Sequence, residues 1–76
     1  VPFDRQQALQ LKNLGHNIRR ERVRQDLSQE RLAEMVNLHP RTIQKIEAGR
    51  VNILFTTIMR FQRGLRCPWE SLLGRT

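Results

Sequence analysis

The sequence predicts an all-α fold of about five short helices. Three observations carry that expectation. Apolar residues recur at three- and four-residue spacing between Leu11 and Leu73. Alternation of period two, the mark of a strand, is absent. Short breaks at Gln25-Asp26, Asn37-Leu38-His39, Gly49-Arg50-Val51-Asn52 and Arg66-Cys67 divide the pattern into helix-sized pieces. At 76 residues the chain reads as one domain, residues 1–76, with a modest core.

The first helix is expected to begin at Asp4, with Gln7 as its capping-box partner. Leu11, Leu14 and Ile18 form one stripe, and the next position on it is Arg22. Asp26 ends this helix where a left-handed cap suits Gly better. The second helix starts after Ser28 as N-cap, with Glu30 in its first turn suiting the dipole. Its buried face is read as Leu32, Met35 and Val36, with Ala33 beside them. Pro40 fits the first position of the third helix, Ile43 and Ile46 mark its core side, and Gly49 stops it. The fourth helix runs from about Phe55 to Leu65, with Phe55, Ile58, Phe61 and Leu65 at core spacing. A last short helix begins at Pro68 and carries Leu72 and Leu73.

Charge points to partners. Fourteen Lys and Arg face seven Asp and Glu, a net charge of +7, and the isoelectric point is near 11.5. Such an excess attracts polyanions. Cys67 stands alone, so it forms no internal disulfide and reads as a small buried thiol. His16 and His39 lack metal-ligand spacing and read as surface or capping residues. No metal, cofactor or small-molecule ligand is expected. No apolar run reaches transmembrane length and no signal peptide is visible, so the expected location is the cytoplasm and no membrane partner is expected. Val1 is not a natural start, which reads as an internal fragment or a processed chain.

A helix, a turn of about three residues and a second short helix make a helix-turn-helix layout over about residues 28–49. At 100° per residue, Arg41, Gln44, Lys45 and Ala48 fall opposite Ile43 and Ile46. Arg suits guanine edges, Gln suits adenine, and a small residue lets a helix sit deep in the major groove. Ser28 and Gln29 open the second helix, where a side chain and free backbone N–H groups hold a phosphate. Arg22 and Glu47 each need a partner if partly buried, and the economical inference is that they pair, with Arg22 also reaching a phosphate.

Leu27-Ser28-Gln29-Glu30-Arg31-Leu32-Ala33-Glu34 and Pro40-Arg41-Thr42-Ile43-Gln44-Lys45-Ile46-Glu47-Ala48-Gly49-Arg50 resemble the lambda-repressor-like family, the Cro/CI or xenobiotic-response-element type. The terminal Cys-Pro-Trp-Glu-Ser-Leu-Leu belongs to the same resemblance, which covers about Leu11 to Leu73. It implies a compact five-helix domain that binds double-stranded operator DNA as a transcriptional regulator, with helices 2 and 3 as the helix-turn-helix. It implies base contacts from Pro40, Arg41, Gln44 and Lys45, and a phosphate contact from Gln29. Arg22, Ser28, Thr42 and Arg50 complete the expected phosphate set, and Arg22 with Glu47 match the family's ion pair. Departures from the family pattern are Asp26, Asn37 and Arg66 at usual Gly positions, Leu54 at a usual polar cap, and Gln62 for a small apolar residue.

The family usually binds as a dimer on half-sites about 34 Å apart. Leu54, Met59, Trp69, Leu72 and Leu73 exceed what one small core needs, so a homodimer is expected through Leu54, Trp69 and Leu73. For Trp69 a core position is the competing reading. The alternative function is a protein-interaction adaptor or antitoxin module on the same bundle; the cationic third-helix face argues against the adaptor. No nucleophile–base set, carboxylate pair or phosphate loop is present, so the chain is not read as an enzyme. Phage repressor, antitoxin, restriction–modification controller and a module of a longer chain remain as sub-readings.

Overall fold

The computed structural model describes residues 4–74. It contains α1 (Arg5–Arg24), α2 (Gln29–Val36), α3 (Pro40–Glu47), α4 (Phe55–Leu65) and α5 (Trp69–Leu73), and no strand among the described residues. α1 packs on α3 and α5, and α2 packs on α3 and α4. The shared core holds Leu14 and Ile18, Leu32, Ala33 and Val36, Ile43 and Ile46, Ile58, Phe61 and Leu65, then Cys67 and Leu72. Each larger side chain among them contributes roughly 1.5–3 kcal/mol by leaving water.

The helix starts follow local chemistry. Asp4 caps α1 by accepting from the Gln7 N–H at 2.7 Å, and Gln7 Oε1 accepts from the Asp4 N–H at 3.2 Å. Ser28 Oγ caps α2 by accepting from the Arg31 N–H at 2.9 Å. Leu54 precedes α4 with no side-chain cap, yet the helix still starts at Phe55.

The helix ends share a device. Asp26 (φ 58°), Asn37 (φ 57°), Gly49 (φ 71°) and Arg66 (φ 52°) all stand in the left-handed region, closing α1 to α4 in turn. After α1 the Leu27 N–H donates to the Arg22 carbonyl and the Asp26 N–H to that of Val23, both at 3.0 Å. After α3 the Arg50 N–H donates to Lys45 and the Gly49 N–H to Ile46, again at 3.0 Å. These paired bonds satisfy two of the last carbonyls of α1 and two of α3.

Four expectations are corrected. Met35 is 37% exposed, not buried, because Leu32, Ala33 and Val36 take the inner face of α2 and leave Met35 at its edge. Phe55 is 60% exposed: at the first position of α4 its ring lies outside the core and stacks on Trp69, centroids 5.6 Å apart. Leu72 is wholly buried and is no surplus surface residue. Pro68, in extended conformation, caps α5, which begins one residue later at Trp69.

Two α1 features position everything else. A Cβ on Gly15 would collide with the Ile46 and Glu47 carbonyl oxygens, so only glycine lets α1 lie this close to α3. On the other side, Asn13, Asn17 and Arg20 clasp the C-terminal segment. Asn17 Nδ2 donates to the carbonyls of Leu72 at 2.7 Å and Gly74 at 2.9 Å. Asn13 Nδ2 reaches Gly74 O at 2.9 Å and Arg20 reaches Ser71 O at 2.9 Å.

Candidate nucleic-acid interface

α3 is built to show one face. His39 precedes it, and its Nδ1 accepts from the Arg41 N–H at 3.0 Å. Pro40 follows at the first position, where no N–H is missed. Ile43 and Ile46 are buried, while Arg41, Gln44, Lys45 and Ala48 are exposed and Pro40 is half-buried. Among the described residues, the side chains of Arg41, Gln44 and Lys45 make no hydrogen bond or ion pair. Two cations and an amide therefore stand free on one side of a two-turn helix.

A charged cluster holds this helix from behind. Arg22 Nε donates to Glu47 Oε2 at 2.7 Å, and Nη2 donates to Oε1 at 3.1 Å. Arg22 Nη1 donates to the Leu27 carbonyl at 2.7 Å. Gln29 Nε2 donates to Glu47 Oε1 at 3.1 Å. The Arg22 and Glu47 side chains are 12% and 4% exposed. One carboxylate at the end of α3 thus ties together the end of α1 and the start of α2. A bidentate pair of this kind fixes direction as well as distance.

The remaining sequence-derived residues fall around this helix pair. Ser28 is exposed at the N-terminus of α2, and Thr42 is half-buried in α3. Arg50 is exposed just beyond the Gly49 turn. The Arg22 guanidinium commits one N–H on each of its three nitrogens to protein partners, leaving two of its five for anything outside. Leu54 and Leu73 lie apart from this cluster, 72% and 50% exposed, and Trp69 is half-buried against the core. Cys67 is 5% exposed, and desolvation, followed by the charge of Glu21, raises its thiol above the ordinary value of 9.0.

Sequence reasoning missed Gly15, Asn17 and Glu21. Asn17 and Glu21 are buried polar residues on the inner face of α1. Their signal was visible: both interrupt the Leu14–Ile18 apolar face at helical spacing. Glu21 pairs with Arg24 at 3.3 Å and lies 3.7 Å from Arg20. Asn17 Oδ1 has no hydrogen-bond partner. Among the described residues no cluster of three His, Cys, Asp or Glu could hold a metal, and no helix is long and apolar enough to cross a membrane.

The helix-turn-helix family model matches residues 18–72. No curated protein matches the chain. Solved structures similar to this chain include the following two. The restriction-modification controller protein C.AhdI from Aeromonas hydrophila is 27% identical, with a TM-score of 0.77 over 82% of this chain and 94% of that one. The hypothetical transcription factor NHTF from Neisseria is 29% identical, with a TM-score of 0.80 over 90% of this chain and 79% of that one.

Proposed function

The chain belongs to the helix-turn-helix family, of the lambda-repressor-like type, and from that premise we propose that it is a sequence-specific regulator of transcription that reads duplex DNA with α3. The observation that carries this is the free face of Arg41, Gln44 and Lys45, held by the Arg22–Glu47–Gln29 cluster. α3 enters the major groove with Pro40, Arg41, Gln44 and Lys45 at base edges. Ser28, Gln29, Thr42 and Arg50, with the spare N–H groups of Arg22, hold the flanking phosphates and set the register. A homodimer placing two copies of α3 on a two-fold site completes the reading, with Leu54, Trp69 and Leu73 at its interface. The work is binding and needs no catalytic group or cofactor.

A narrower reading, control of a restriction–modification operon, is favoured by the similarity to C.AhdI over 94% of that chain's length. Selection from a random duplex library tests the general proposal. The wild type should enrich one motif, and Arg41→Ala should lose about 1–3 kcal/mol on it and relax one base position. Enrichment of no motif, or an unchanged preference in Arg41→Ala, rejects α3 as the reader.

A further inference from the structure

α1 carries two parallel stripes at seven-residue spacing. Ala8, Gly15 and Arg22 form the first: Gly15 lies against the end of α3 and Arg22 grips Glu47. Arg5, Lys12 and Arg19 form the second, rotated outward from the first by about 60° at 100° per residue. All three are exposed, and among the described residues none of their side chains makes a hydrogen bond or ion pair. Their neighbours one turn away are Ala8, Leu9, Gly15, His16, Arg22 and Val23, with no carboxylate among them. The stripe is about 21 Å long at 1.5 Å per residue.

The stripe is continuous with the α3 face. Gly49, the residue that ends α3, packs directly on Lys12: a Cβ there would lie 2.7 Å from Lys12 Cα and 2.8 Å from its Cγ. Gly49 is flanked by exposed Ala48 on the free face of α3 and exposed Arg50. The stem of Lys12 is therefore pinned at the C-terminal edge of that face, and Arg5 and Arg19 extend the charge along α1 in both directions. Most of this stripe precedes the segment that the family model matches, which begins at residue 18.

We propose that Arg5, Lys12 and Arg19 form a basic rail that contacts the DNA backbone beside the groove occupied by α3. This rests on the proposed function, since it assigns further phosphate contacts to the same interface. Continuity with that face and the lack of any internal carboxylate favour duplex DNA as the occupant. The rail adds affinity at every sequence and reads no base. Its signature is salt dependence, because each phosphate contact contributes about 0.9 to the slope of log K against log salt.

The test compares the wild type with two triple variants of equal charge. The rail variant is Arg5→Gln, Lys12→Gln and Arg19→Gln. The control is Arg60→Gln, Arg63→Gln and Arg66→Gln, on and just after α4. Binding is titrated from 50 to 200 mM salt, on the library-selected duplex and on a mixed-sequence duplex. The rail variant should lose about 2 to 3 from the slope on both duplexes and keep the selected motif. The control should keep its slope. Gln preserves helix propensity, so the rail variant should melt no lower than the wild type; a lower melting temperature means that the rail braces the fold and overturns the proposal. A steep wild-type slope that the rail variant retains overturns the rail alone, as does an equal loss in the control, which marks a net-charge effect. A wild type that binds neither duplex overturns the proposed function, and the rail with it.

Discussion

Glu47 Oε2 accepts from Arg22 Nε at 2.7 Å in a site where the Glu47 side chain is 4% exposed, and the same carboxylate also accepts from Gln29. Removing one partner strands the other. Glu47→Ala should cost about 3–5 kcal/mol, because the Arg22 charge stays partly buried with only the Leu27 carbonyl to meet it. Arg22→Met with Glu47→Leu should recover much of that loss. Thermal melts of the two single variants and the pair check it; losses that simply add would mean that the two charges do not act together. The double variant should also bind DNA less well than its stability suggests, since apolar contact does not orient α3 as a bidentate pair does.

Three helices end on a residue that has a Cβ in the left-handed region: Asp26, Asn37 and Arg66. The strain is largest for Arg66, since Asp and Asn tolerate that region better. Arg66→Gly should stabilise by about 1 kcal/mol, a rise of roughly 4–8 °C in melting temperature for a domain this size. Asn37→Gly and Asp26→Gly should give smaller rises. A fall with Arg66→Gly would show that its side chain supplies something larger than the strain.

Gly15→Ala is the opposite case. Its methyl would meet the Ile46 and Glu47 carbonyl oxygens, and backbone cannot swing aside like a side chain. The expected cost is about 1–3 kcal/mol from overpacking. The strain falls on α3, so DNA affinity should drop further in the fraction that stays folded. Melting curves and binding at a temperature well below the transition separate the two effects.

Cys67 gives the chain an alkaline weakness. Burial, with Glu21 nearby, raises its folded-state value, while the unfolded thiol titrates near 9.0. Its contribution to stability is therefore complete below that value and is lost as pH rises above it. With no Tyr in the chain, few other groups titrate there. Stability should decline above pH 9, and Cys67→Ala should flatten the decline. In native buffer at pH 7 the thiol should react slowly with iodoacetamide.

Much of this fold was legible because its signals are local. Capping at Asp4 and Ser28, Pro40 at the start of α3 and the glycine-like turns at Asp26, Asn37 and Arg66 depend on a few adjacent residues. The free face of α3 was legible for the same reason: periodicity alone puts Ile43 and Ile46 opposite Arg41, Gln44 and Lys45. What was missed depends on which element lies across the gap. Nothing near Gly15 in sequence says that a backbone carbonyl passes over it. Asn17 and Glu21 stand at core spacing on α1, but which carbonyls or charges meet them depends on α5 and on the neighbouring arginines. Phe55 obeys core spacing yet sits on the first turn of α4, where its ring meets only the half-buried Trp69 at the start of α5 and stays outside the core.

The proposed dimer rests on a cluster, not on any single exposed residue, since scattered apolar side chains on a surface are ordinary. Phe55 stacks on Trp69 at an interplanar angle of 8°, which joins the start of α4 to α5. Ile53 and Leu73 line a hollow of about 200 Å³ together with Gln10 and Leu11 of α1. Leu54, 72% exposed, stands between Ile53 and Phe55 in the chain. An isologous contact through this region would cover Leu54, Phe55 and Leu73 together and seat the exposed edge of Trp69. Sedimentation of the wild type should show concentration-dependent dimers. Leu54→Glu with Leu73→Glu puts charges into a desolvated patch in both copies, so dissociation should become easier by tenfold or more, about 1.4 kcal/mol or above. On a palindromic duplex that variant should bind its two half-sites independently and keep its base preference. A dimer of unchanged strength in the double variant would move the interface elsewhere on the surface and leave α3 as the reader.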